Sequence, residues 1–197
     1  MKLKRKIKSN KTSNFTPIIS ILLIGIIICV SMFYEKSWGY DWSSIRKEIK
    51  DSIRVYKFTD ITSGIAGDGI SSINEVKRRG YIMKNATINE LNKLTQFPNG
   101  NIKAIAYEGL LRNNNFKNKF NIIIKAINDN DHMVYYQSGC IGQEISIGEY
   151  LIQNVLDIDD RLPPRLPNYL SNNFSINDLE KQKILVEFRK NKKVTQE

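Results

Sequence analysis

The hydrophobic pattern divides the chain into one unbroken apolar run followed by a series of short stripes. Residues 15 to 34, FTPIISILLIGIIICVSMFY, carry no charged side chain. Twenty helical residues at about 1.5 Å each reach about 30 Å, the thickness of a bilayer's hydrocarbon core, and a helix satisfies its own backbone where there is no water. The run predicts a transmembrane helix. Beyond it the spacing becomes amphipathic. In SSIRKEIKDSIRVYKF, Ile45, Ile49, Ile53 and Tyr56 fall at steps of four, four and three, one stripe on a docking helix or stalk. TSGIAGDGISS then reads as a connector: Gly64, Gly67 and Gly69 precede a helix from Ser71, but match neither the dinucleotide fingerprint nor the P-loop.

From Thr87 the signals sharpen. Thr87 and Glu90 have the spacing of a capping box, Ile88, Leu91 and Leu94 form an apolar face, and Phe97-Pro98-Asn99-Gly100 ends the helix. A second helix from Asn101 turns Ile102, Ile105, Ala106 and Leu110 one way. FKNKFNIIIKAINDND repeats the theme with Phe116, Phe120, Ile123, Ile124 and Ile127, and a polar turn before Met133 and Val134. A shift of 32 residues lays Ile102 on Val134, Pro98-Asn99 on Asn130-Asp131 and Leu91 on Ile123. A period in the thirties built from helix pairs predicts a solenoid, in which each hairpin buries its apolar face against its neighbours.

LTQFPNGNIKAIAYEGLL resembles the HEAT repeat signature, its places held by Leu94, Pro98 with Asn99, Ile102-Lys103, Ala106 and Leu110. INDNDHMVYY supplies Asp129, Asp131 and Val134, with Tyr135 where a basic residue is usual. YQSGCIGQE then reads as an insertion that delays the second helix to ISIGEYLIQNVL, where Ile147, Leu151 and Val155 return to register. The resemblance covers residues 71 to 156 and implies an all-α fold, a short α-solenoid of HEAT-like hairpins behind one N-terminal transmembrane helix. An irregular helical bundle fits the same stripes. RLPPRLP follows as a semi-rigid linker, and Ser175 and Asp178 cap a last helix whose Ile184, Leu185 and Phe188 cover the open end of the stack. The expected organisation is a basic arm (1–14), an anchor (15–34), a juxtamembrane helix with the glycine-rich loop (35–70), the repeats (71–156), a proline-rich linker (157–174) and a C-terminal helix with a basic tail (175–197).

Charge changes the picture in one place. The formal net charge is +10, but Lys2, Lys4, Arg5, Lys6, Lys8 and Lys11, with no acid before residue 15, supply +6 of it. The rest is close to balanced and lacks the sustained basic face that nucleic-acid binding needs. A basic arm before an apolar run stays cytoplasmic, which places residues 35 to 197 across the membrane, with Phe33, Tyr34, Trp38, Tyr40 and Trp42 as interfacial aromatics. The other reading of the run is a cleaved signal peptide, with Cys29 and Ser31 as its small residues and a secreted product. Ile26, Ile27 and Ile28 do not form the small-residue box that precedes a lipidated cysteine.

Candidate chemistry gathers in NDNDHMVYYQSGCIGQE, which holds the single histidine, His132, and Cys140. With Asp129 and Asp131 these form the catalytic set of an envelope hydrolase, if the chain is an enzyme. One histidine and one usable cysteine fall short of a zinc site, no cysteine-hydrolase signature surrounds Cys140, and Asp and Asn in a turn favour local backbone bonding. Asp157, Asp159 and Asp160 lack the spacing of a calcium loop and read as a solvated helix stop. No metal or cofactor is expected. The reading that follows is a membrane-anchored, extracytoplasmic and non-catalytic interaction module. Its partners are the bilayer, through residues 15–34, and a protein of unknown identity. Its contact residues are Lys103, Glu108 and Arg112 on the polar side of the best repeat helix, and Tyr135 and Tyr136 beside the insertion. A structural subunit of a membrane complex, using the span as its binding element, is the remaining alternative.

Overall fold

The computed structural model describes residues 15–33, 39–56, 60–63, 73–159, 161, 174 and 176–194, which fall into two units, Met1–Trp38 and Gly39–Glu197. The basic arm, Tyr34, Trp38, the glycine-rich loop from Gly64, Ser71, Asp160, the prolines of RLPPRLP, Ser175 and the side chain of Tyr56 lie outside the described residues.

The first unit contains α1 (Phe15–Phe33), 19 residues without a charged side chain. Its described side chains, 17 to 31, are all exposed. Among the described residues no helix is long and apolar enough to cross a membrane.

The second unit runs α2 (Lys47–Tyr56), β1 (Ile61–Thr62), α3 (Ile73–Asn85), α4 (Ile88–Leu94), α5 (Gly100–Arg112), α6 (Lys119–Ile127), β2 (Met133–Ser138), β3 (Ile141–Ser146), α7 (Ile147–Tyr150) and α8 (Asp178–Val194). The chain leaves α7 through one π-helical turn, Leu151–Val155, and Asp157 closes it in the left-handed region at φ 51°, which Asp tolerates better than most residues. At the centre is α5. Every residue from Gly100 to Leu111 is buried, because α3, α4, α6, α7 and β2 all pack against it.

The unit is largely helical but not all-α. The β2–β3 hairpin takes the place of the expected inserted loop and joins β1 in a three-stranded sheet of order β1-β2-β3, with β1 parallel and β3 antiparallel to β2. The cause is local. MVYYQS alternates inward Val134 and Tyr136 with outward Met133 and Tyr135, and Gly139, at φ 60°, supplies the left-handed first position of a two-residue hairpin turn. The shift of 32 residues therefore lays a helix, α5, on a strand, β2, and the described residues show no repeat of helical hairpins.

Several expected signals fold as read. Thr87 accepts from the Glu90 amide at 3.2 Å and the Glu90 carboxylate accepts from the Thr87 amide at 2.8 Å, so the capping box forms. Ile184 and Phe188 of α8 are buried, and α8 packs on α6, where Asn191 donates to the Ile127 carbonyl at 3.1 Å and so caps the end of that helix. The α8 cap differs from the expected one: Asp178 is the first helical residue, and an Asn177–Glu180 box does the capping, with Glu180 N donating to Asn177 Oδ1 at 2.9 Å and Asn177 N to Glu180 Oε2 at 3.0 Å.

Two readings are corrected. Tyr40 and Trp42 do not stand free of the second unit but meet Phe97 edge to face, with centroids 4.7 and 5.3 Å away, and Tyr40 Oη donates to the Lys93 carbonyl at 2.8 Å. Burial, then the neighbouring Asp41 charge, pushes the Tyr40 phenol up to about 12, so it remains a donor. Asp159 is not solvated but buried, accepting from Arg161 Nε at 3.0 Å with Arg189 at 3.5 Å.

Glu90 does more than cap a helix. It is buried and accepts from the Arg46 amide and guanidinium at 2.9 to 3.0 Å, fastening the segment before α2 to α4. Burial alone would raise its carboxyl, but the hydrogen bonds from Arg46 and Thr87 outweigh that and hold it near 2. A carboxyl depressed from its ordinary 4.5 contributes stability that is complete above 4.5 and lost as the pH falls through about 2. Denaturant titrations from about pH 5 to about pH 2 should show wild type losing on the order of 3 kcal/mol more than Glu90→Gln. Equal losses would contradict this role.

Candidate interaction surface

The β2–β3 hairpin is seated by the start of α5. A Cβ at Gly100 would overlap the Met133 carbonyl, so only glycine lets the β2 backbone lie this close. One residue on, Asn101 Oδ1 accepts from the Tyr135 amide at 2.9 Å. These two contacts fix which side chains face inward. Val134 is fully buried, and Tyr136 is buried with its ring 5.8 Å from that of Tyr150. Tyr135 points out, its ring over Gly142, and its cross-strand partner is Glu144. Met133, Tyr135 and Ile141 are 46%, 47% and 68% exposed, so the hairpin presents large apolar side chains to solvent.

The predicted contact residues therefore divide. Tyr135 is available; Tyr136 is not. Lys103 and Glu108 are not surface groups either, since α5 is buried from Gly100 to Leu111, and Arg112 at its end is half-buried and paired with Glu108. Lys103 is buried and donates to Asp129 Oδ1 and Oδ2 at 2.7 and 2.9 Å, and Tyr107 Oη donates to the same carboxylate at 3.2 Å. Burial, then the Asp129 charge and hydrogen bond, pushes the Tyr107 phenol well above its usual range and keeps it protonated.

Glu108 is the most enclosed charge. Its carboxylate accepts from Arg112 Nε at 2.7 Å and from Tyr150 Oη at 2.7 Å, while Arg79, also buried, donates to Tyr150 Oη at 3.3 Å. Burial alone would raise the Glu108 carboxyl, but the charges of Arg79 and Arg112 and the bonds from Tyr150 and Arg112 hold it below its usual range, so it is ionised. Arg79 and Tyr150 were missed in the sequence, where nothing local ties either to Glu108. Met133 was missed as a surface anchor, although the alternation of MVYYQS carries that signal.

The alternative catalytic set is not assembled. His132 precedes β2 and Cys140 sits in the turn after it, so a six-residue strand at about 3.4 Å per residue separates them by roughly 20 Å. Asp129 is engaged by Lys103 and Tyr107, and Asp131 is exposed. Among the described residues no group of three His, Cys, Asp or Glu side chains could hold a metal ion.

No family model, curated protein or solved structure matches the chain. The site's chemistry therefore rests on its own geometry.

Removing one partner of a buried ion cluster leaves the others desolvated and uncompensated. Glu108→Ala should cost about 3–5 kcal/mol in urea denaturation, whereas Tyr150→Phe, which removes one hydrogen bond, should cost about 1–2 kcal/mol. A loss below about 1 kcal/mol for Glu108→Ala would mean that Arg79 and Arg112 do not depend on it.

Proposed function

We propose that this chain is a non-catalytic interaction module, tethered to a membrane by residues 15–34, whose contact surface is the outward face of the β2–β3 hairpin. The observation that carries the reading is the exposure of Met133 and Tyr135 on the outward face of a hairpin whose register is fixed from beneath by Gly100 and Asn101. A tyrosine on a rigid strand offers apolar area and a hydroxyl at little cost in conformational freedom, which favours it as a binding anchor. Glu144 beside Tyr135 adds a charge at the edge of the patch.

Tethering is supported by the uncharged 19-residue helix that follows six basic residues. The same charge order favours export of the second unit across the membrane. The non-catalytic reading is supported by the separation of His132 from Cys140 and by the pairing of Asp129 with Lys103.

The test uses the full chain in neutral detergent as bait for envelope extract. Wild type should retain a partner, Tyr135→Ala should lose about 30-fold in affinity for it, and Leu179→Ala, at an exposed position on α8, should bind as wild type. Equal retention by Tyr135→Ala would refute the hairpin surface, and no partner with any protein would refute the module.

A further inference from the structure

We infer a second binding site, independent of the hairpin: an open cleft between α3 and the loop after α5 that takes an oxyanion, of the charge and size of a phosphate ester. The cleft encloses about 960 Å³, lined by Lys77, Tyr81 and Lys84 on one side and by Arg112, Asn113 and Asn115 among the residues opposite. Every charged residue lining it among the described residues is basic. Lys77, Tyr81 and Lys84 stand at i, i+4 and i+7, which places the two lysines about 10 Å apart along the helix backbone with a tyrosine between them.

A basic residue near a helix end can simply serve the exposed carbonyls there. Here other groups hold several of those carbonyls. Arg46 donates to Asn85 O, the Asn85 side chain donates to Tyr81 O, and the Asn113 amide donates to Gly109 O and Leu110 O. Lys77 and Lys84 are exposed and make no hydrogen bond or ion pair among the described residues. Asn113 Oδ1 accepts from the Asn115 amide at 2.9 Å, which fixes that side chain with its NH2 group left as a donor. Arg112 is held at the rim by Glu108 and by the Phe174 ring, 5.3 Å from its guanidinium carbon. Three cations, a phenol and an amide donor around one cleft suit a group that accepts several charge-assisted hydrogen bonds.

Such an anion can come from a soluble phosphate compound or from a lipid headgroup, and the test separates them. The full chain, 15N-labelled in neutral detergent, is titrated with sodium tripolyphosphate in one arm and with short-chain phosphatidylglycerol in the other, against short-chain phosphatidylcholine. Amide shifts should concentrate at residues 77–85 and 112–115, and Lys77→Gln/Lys84→Gln should weaken binding about tenfold at low salt without changing the melting temperature. Because the arm before residue 15 is itself basic, Lys2→Gln/Lys4→Gln is the control and should leave the cleft shifts in place. A response to tripolyphosphate alone assigns the site to soluble phosphates, and a response to phosphatidylglycerol alone to headgroups. Shifts confined to the arm, or equal affinity in the Lys77/Lys84 variant, would overturn the site.

Discussion

A helix buried on every face must draw the partners of its own polar side chains inside with it. That constraint shapes the second unit, because α5 carries Asn101, Lys103, Tyr107 and Glu108 into the interior. They are answered from several surrounding elements: Asn101 by the backbone of β2, Lys103 and Tyr107 together by Asp129 of the α6–β2 turn, and Glu108 by Arg79 of α3 and Tyr150 of α7, with Arg112 of α5 itself. Apolar contacts around α5 supply the larger share of stabilisation, but they tolerate sliding. The polar contacts do not, since a shift of one residue would leave a charge desolvated and unpaired. They key each neighbour to one register on the central helix.

The same principle separates what the sequence disclosed from what it concealed. The Thr87–Glu90 box, the stripe of Ile123 and Ile127 and the docking face of Ile184 and Phe188 were legible, because each is written within a few residues of itself. Lys103 and Glu108 were misread as a solvent face because helical periodicity assigns polar residues to water by default. Their compensation lies far along the chain, with Arg79 29 residues before Glu108 and Tyr150 42 after it. The hairpin was legible in part: MVYYQS alternates and Gly139 marks a turn, but the 32-residue register of helix pairs took precedence and turned strands into an insertion. Gly100 looked like a helix-ending residue. Its use, the close approach of β2, exists only once the chain has folded.

The surfaces open to contact follow from what this packing leaves outside. Tyr136 is spent on the core against Tyr150, so the next residue, Tyr135, is presented outward on a strand that cannot rotate. Asp129 is drawn under α5, which takes it from any polar site with His132, and the length of β2 keeps Cys140 away. Arg79 of α3 points inward to the Glu108 cluster, and Lys77 and Lys84 of the same helix stay at the surface. Two surfaces of different chemistry, one apolar and aromatic, the other cationic, thus arise from one central helix.

Native-state hydrogen exchange tests the central role of α5 most directly. If the surrounding elements are keyed to it, the amides of Ile102 to Leu111 should exchange only through global unfolding, with α8 and the hairpin tip opening at lower cost. Exchange of α5 amides ahead of those in α8 would show that the helix is not what the rest of the unit is built on.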